Sequence, residues 1–301
     1  FDLNAETRAE IPGGGPNTPD PAARELIFRN QGFTIEGGNA NRTLLVRDGI
    51  DAEPIDDVDA TFTVAPSALT FTGDATIAAR NRSAGTTTRV VIDTKNNREF
   101  THSGNLTVLG DGEVEIESRT TEMGGDLTYE GSGSLLLSGR TLDLNGADRT
   151  FGGDGTGDWD IDADITGAGK VTKSGTSTLA LGGTNNYTGG TDILGGTLEI
   201  GAAANLPSDN NDSITIDGAT LRATADMTLD NTRDFSVGAS GATFEVTGTS
   251  EVRVQGDLDG SSSLSKQGTG ELELAGSHAF SGAVTVSGGI LDVSGDLDNA
   301  T

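Results

Sequence analysis

Four aspartates alternate with apolar residues in the stretch GDWDIDADITG, where Asp158, Asp160, Asp162 and Asp164 stand between Trp159, Ile161, Ala163 and Ile165. On one extended strand that spacing puts four carboxylates on one face, a set of oxygen ligands that could gather Ca²⁺. The preceding GGDGTGD comes close to the calcium-binding nonapeptide G-G-x-G-x-D, but Gly157 stands where its aspartate belongs. Sites of that kind come in tandem and this one is single, so the expectation is a solvated outer face whose repulsion salt screens, with no metal and no cofactor. His102 and His278 are the two histidines of the chain, and neither has metal-ligand or H-E-x-x-H spacing. His278 reads as a turn residue. No G-x-S-x-G or G-D-S-G nucleophile turn occurs, which leaves a Ser-His-Asp site without its serine. GAGKVT at 167–172 lacks the upstream glycine and the Ser/Thr after Lys170 that a phosphate loop requires, and reads as the corner of a repeat. The sequons at Asn41, Asn81, Asn186 and Asn299 follow from composition, and Asn105 falls in an expected strand, badly placed for a glycan. No catalytic, cofactor-binding or metal-binding residue is assigned.

The elements that would position such groups are written in glycines and aliphatics. The spacing L-x3-G-x-G-x-L-x-L recurs with small substitutions: Leu106, Gly110, Gly112, Val114, Ile116, then Leu127, Gly131, Gly133, Leu135, Leu137, 21 residues on. It returns as Val171, Gly175, Ser177, Leu179, Leu181 and as Leu264, Gly268, Gly270, Leu272, Leu274, offset by 93. That offset pairs Lys173 with Lys266, Gly183 with Gly276, Tyr187 with Phe280, Gly196 with Gly289 and Leu198 with Leu291 without a gap. A repeat of about 20 residues cannot bury its apolar face alone and must stack on a neighbour. Period-2 alternation inside it predicts short strands, with glycines turning the corners. The expected fold is all-β, a parallel β-helix with rungs of about 20–22 residues. An antiparallel sandwich also alternates, but sandwiches do not repeat one turn-and-strand spacing. Residues 1–25 contain IPGGGPNTPDPAA and read as an irregular leader or cap; DPAARELIFRN offers a helical turn started by Pro21; 26–301 reads as one continuous solenoid.

Composition narrows the partners. Glycine contributes 45 of 301 residues against a usual share of roughly 7%, while only 7 prolines rule out a collagen-like or proline-rich chain. A net charge of −27, from 46 acidic and 19 basic residues, repels phosphate backbones and anionic headgroups, so nucleic acid and membrane insertion are not expected. The absence of cysteine excludes disulfides and thiolate metal sites. No apolar run approaches the roughly 18 residues that span a bilayer.

The segment KSGTSTLALGGTNNYTGGTDILGGTLEIG, Lys173 to Gly201, resembles the autotransporter passenger-associated β-helical repeat. The pattern is carried by Lys173, Gly175, Leu179, Leu181, Gly183, Asn185, Tyr187, Gly189, Thr191, Gly196 and Leu198. The copy from Lys266 to Val293 is looser, with His278 at the place of Asn185, Phe280 at that of Tyr187 and Val284 at that of Thr191. The resemblance implies a secreted right-handed parallel β-helix, a passenger displayed on a bacterial cell surface, with adhesion, aggregation or biofilm as its role; it does not imply an activity, and no enzyme is expected. It also implies an excerpt of a longer protein, since the family's membrane barrel is not in these residues. Its expected partners are other copies or neighbouring solenoid segments, and glycans or proteins of host or neighbouring cells. Two alternatives remain: a self-assembling extracellular filament or sheath, and a polysaccharide-binding or polysaccharide-cleaving β-helix such as a lyase or tailspike.

Overall fold

The computed structural model describes residues 8–11, 22–28, 34–37, 43–54, 59–66, 68–207 and 213–297. They fall into two compact units, one built from residues 1–145 and 153–163, the other from 146–152 and 164–301. In both, short strands stack in parallel on strands one coil away, making a parallel β-solenoid.

Alternation builds each strand. In Thr178–Leu181 and Glu271–Leu274 every second side chain is buried, and the residues between face out. A lone strand of four residues has no stability of its own. Stacked, it hydrogen-bonds above and below and adds two side chains to an apolar column, each contributing roughly 1.5–3 kcal/mol. In the first unit Leu106 lies on Leu127, Val114 on Leu135 and Ile116 on Leu137, which is the 21-residue offset of the sequence pattern. In the second, Leu179 lies on Leu198, Leu198 on Leu221 and Leu221 on Phe244. Aromatic pairs thicken the columns: Phe28 with Phe62 and Phe71 with Phe100, each at 5.2 Å, and Phe235 with Phe244 at 5.5 Å. Corners repeat as well. Gly175 and Gly268 hold φ at +71° and +76°, and Gly196 and Gly289 at +62° and +65°, so both long copies turn through the same left-handed positions.

Three expectations change. The segment 22–28 forms no helical turn; Ala22–Phe28 is a strand laid on Thr43–Ala52, with Leu26 and Phe28 inside. Stacking on an existing edge outweighs a weak local helix preference. Within the expected irregular leader, Arg8–Ile11 is a strand paired with Thr34–Gly37. The coil length also varies more than 20–22: partners in the second unit stand 19 to 25 residues apart, such as Leu179 and Leu198 or Met227 and Val252. In the first they stand 21 to 31 apart, such as Leu106 and Leu127 or Leu69 and Phe100.

The extra residues leave as excursions pinched at the neck. Thr88 closes one, its amide bonding Asn81 Oδ1 at 2.6 Å and its hydroxyl bonding Arg80 O at 2.8 Å. Buried Arg233 ties down the segment 203–207, donating to the carbonyls of Pro207 at 2.8 Å and of Leu206 and Ala203 at 3.0 Å each, with Asp230 at 3.0 Å. Among the described residues no helix is long and apolar enough to cross a membrane.

Candidate functional surface and the polar slots behind it

Parallel stacking turns every outward position into a column. In the second unit Thr178, Thr197, Thr220, Thr243, Ser265 and Thr285 are successive partners, a file of hydroxyls with one per coil, roughly 4.8 Å apart. Two residues along runs the column Ala180, Glu199, Arg222, Glu245, Gln267, in which Arg222 bridges Glu245 at 2.7 Å and Glu199 at 3.2 Å. Arg253 likewise contacts both oxygens of Glu273, at 2.8 and 2.7 Å. In the first unit Arg89 bridges to Glu115 on the next coil. Such pairs are half in water and contribute little stability each; they set which charges face outward.

Where like charges stack, the cost is visible. Glu122 lies on Asp143 in the next coil, and burial first, then the charges of Glu99 and Asp143, raise its carboxyl above the ordinary range. A raised carboxyl favours the fold when protonated, and that advantage is lost as pH rises through its folded value. Glu122→Gln is therefore expected to raise the melting temperature at neutral pH and to lose this gain toward about pH 4, where ordinary glutamates protonate, as read by calorimetry across that range.

Many of the acidic residues are corner fasteners. Where the chain turns and backbone carbonyls no longer line up, a short Asp or Asn side chain accepts the amide of the neighbouring coil. Asp74 takes Asn105 N–H at 2.7 Å, Asn105 takes Asp126 at 3.0 Å, Asp148 takes Lys170 at 2.9 Å, Asp217 takes Ser240 at 2.7 Å and Asp234 takes Asp257 at 3.0 Å. Asp217→Ala is expected to cost about 1 kcal/mol in urea unfolding, whereas Asp217→Asn, which keeps the accepting oxygen, retains most of it.

The aspartates of the GDWDIDADITG stretch all face away from the core, with Trp159, Ile161, Ala163 and Ile165 buried between them. They do not share one strand: Asp158–Ile161 ends before Asp162, and Asp164 begins Asp164–Thr166. The chain bends between, and Asp164 is engaged as a fastener, accepting Thr184 N–H at 2.6 Å. Among the described residues no three His, Asp or Glu side chains are grouped to hold a metal ion. Among the described residues, acidic grooves include one lined by Asp226, Glu251, Arg253, Glu271 and Glu273 and one lined by Glu53, Arg80, Asp111, Glu130 and Asp154. In the first, Arg253 is tied to Glu273 and Asp226 to the Glu251 amide. GAGKVT is a corner, with Lys170 bridging Asp192 at 2.9 Å. Asn105 is exposed and precedes the strand Leu106–Leu109. Asn41 and Asn299 lie outside the described residues.

The histidines are interior. His102 is buried with Nδ1 2.7 Å from Gly104 O. His278 is no turn residue; it lies in a strand, fully buried, its Nδ1 accepting Leu258 N–H at 3.1 Å. Asn185, its counterpart, accepts Ile165 N–H at 2.7 Å, so the two different residues fill one slot with one task. The same economy explains the other differences between the copies. Tyr187 OH and Thr191 Oγ1 are buried 2.7 Å apart; Phe280 and Val284 replace both together, so no polar partner is stranded.

Sequence reading paired the lysines of the two copies but missed their burial. Lys173 and Lys266 point into the core and are fully buried. Lys173 Nζ bonds Ser174 O at 2.6 Å and Gly195 O at 3.3 Å; Lys266 Nζ bonds Gln267 O at 2.7 Å and Gly288 O at 3.2 Å. Each ammonium joins its own corner to that of the coil 22 residues on, and burial lowers the Lys266 pKa. Their inward parity, two residues after Val171 and Leu264, was the available signal.

Residues 171–200 and 264–293 match the family described as passenger-associated-transport-repeat, so the chain carries that autotransporter repeat twice. Over 138 residues, 46% of its length, the chain is 42% identical to a protein of Brucella suis biovar 1 (strain 1330) named "Adhesin BmaC autotransporter". The chain spans 4% of the length of that relative. No solved structure matches the chain.

Proposed function

We propose that this chain is part of the secreted passenger of a cell-surface adhesin, a non-catalytic scaffold whose outward columns make many weak contacts at once. The likeness to an autotransporter adhesin carries this reading, together with two copies of the passenger repeat. The surface supports it: in the second unit hydroxyls recur once per coil beside the ion pairs of Arg222, and a periodic array gains avidity by engaging repeated groups together. The partners are then repetitive glycans or proteins of host or neighbouring cells, or other copies, with aggregation and biofilm as consequences. Net charge of −27 disfavours nucleic acid and anionic lipid.

The test is retention of cells under flow on beads carrying the purified chain, at graded coating densities. Retention rising steeply with density is expected, with no turnover of acidic or neutral polysaccharides. Retention no better than on albumin-coated beads at every density would remove the adhesive role. EDTA is expected to leave the thermal midpoint unchanged, and Ca²⁺ to act no differently from Mg²⁺ at equal ionic strength. A Ca²⁺-specific rise in calorimetry would instead assign the outward aspartates a metal.

A further inference from the structure

We infer that one corner of the first unit, centred on Arg119 and Arg140, is a binding site for an anionic glycan, a sugar polymer bearing carboxylate or sulfate groups. The inference rests on the adhesive reading and names a ligand class for it. Register brackets the corner. Thr94, Ser118 and Gly139 lie on one another before it, and Glu99, Thr120 and Thr141 after it. Between these brackets the first coil carries Lys95, Asn96, Asn97 and Arg98, the second Arg119 alone and the third Arg140 alone. A chain with 46 acidic and 19 basic residues thus places four of its cations in one corner, with no acid among them.

The 21-residue offset sets Arg140 over Arg119 one coil away, roughly 4.8 Å apart at the backbone. Gly139 fixes that approach, since it turns at a φ of +113° and a Cβ on it would lie 1.8 Å from Ser118 O. A register shift between Ser118 and Thr120 bulges the strand at Arg119, and bulges re-aim the side chains they carry. Both arginines are exposed.

Like charges facing each other on neighbouring strands destabilise them. Other outward arginines avoid that cost by lying beside acids: Arg89 beside Glu115, Arg222 beside Glu245 and Arg253 beside Glu273. Arg140 is built differently and enters no ion pair among the described residues. Uncharged Ser138 and Thr141 flank it, while the acids at the rim of the corner, Asp93, Glu99 and Glu117, belong to the two preceding coils. Asp162, exposed on the following coil, is not paired with it.

Two guanidinium forks one coil apart can each take a carboxylate or a sulfate through paired N–H donors. The net charge of −27 does not forbid this, because physiological salt screens exposed charges beyond about 8 Å. It does select the ligand's shape. A nucleic-acid duplex or an anionic bilayer would bring its charge against the acidic faces as well, whereas a single glycan strand can cross the corner alone.

The experiment is binding of the full chain to immobilised heparin and alginate, with dextran as the uncharged comparison, across a salt gradient. Both anionic glycans are expected to hold the chain at low salt and release it as salt rises, and dextran to leave it unbound. Arg140→Ser is expected to weaken binding about tenfold without changing the melting temperature. Arg47→Ser, which removes another exposed arginine of the same unit, is expected to change it little. Equal losses in the two variants, retention on dextran, or no retention at the lowest salt would overturn the inference. So would tighter binding to a DNA duplex or to phosphatidylserine vesicles than to either glycan. Cells still held on coated beads when neither glycan binds would remove this site and leave the adhesive reading standing; glycan binding without cell retention would do the reverse.

Discussion

Trp159→Ala is expected to lower the unfolding free energy by about 3–5 kcal/mol, the range for emptying an aromatic site in a packed core. The indole is 1% exposed, stands on Leu135 in the coil below and meets the Tyr129 ring at 5.6 Å. A two-dimensional stack has few neighbours able to move into a void, because each coil is held in register by its own hydrogen bonds. Denaturant unfolding should follow far-UV dichroism, since Trp159 is the single tryptophan. The tyrosine offers a second readout. Burial, then the Asp158 charge, push the Tyr129 phenol up to about 12, and opening the neighbouring site to water should return it toward 10. A loss under about 1 kcal/mol, or a phenol that titrates as before, would mean that the ring is not a packing element.

The second large effect belongs to a glycine file. Coils of the first unit approach so closely at Gly112, Gly133 and Gly157 that a Cβ on Gly133 would lie 1.7 Å from Gly112 O, and one on Gly157 would lie 1.6 Å from Gly133 O. The obstructing atoms are backbone, and Gly112 O also accepts Ser134 N–H at 3.2 Å, so relief means prising two coils apart. Gly133→Ala is expected to cost about 3 kcal/mol or more and to expose amides of both coils to exchange. Gly73→Ala, where no atom lies within 4 Å of the added methyl, should be near neutral under the same conditions. Equal effects at the two positions would contradict the steric account.

These residues also show how far the sequence could be read. The 21-residue offset from Leu106 to Leu127 is the structural register itself, because inward aliphatics and corner glycines recur wherever one coil must lie on another. Strand identity at 22–28 was hidden, since Ala, Arg, Glu and Leu are good helix formers and only the neighbouring edge makes them extended. The excursions were hidden too, because inserted residues have no period. Among candidate site residues, Asp164 and His278 drew notice for metal or catalytic chemistry, and the structure shows them in another task. Both are acceptors for a displaced amide, a job that depends on where a backbone turns and leaves no mark in spacing. The paired change of Tyr187 and Thr191 to Phe280 and Val284 was visible as two substitutions, but only the 2.7 Å contact makes it one event.

The neck closed by Thr88 has a practical corollary. Because the neck is closed by Thr88 on Arg80 and Asn81, exposed Ala84 and Gly85 beyond it form a splice point where foreign sequence can be carried without shifting the coils on either side. Doubling such a loop costs only about 0.6 kcal/mol in closure entropy. A lineage, or an engineer, can thus change what the surface displays there while leaving the winding beneath untouched.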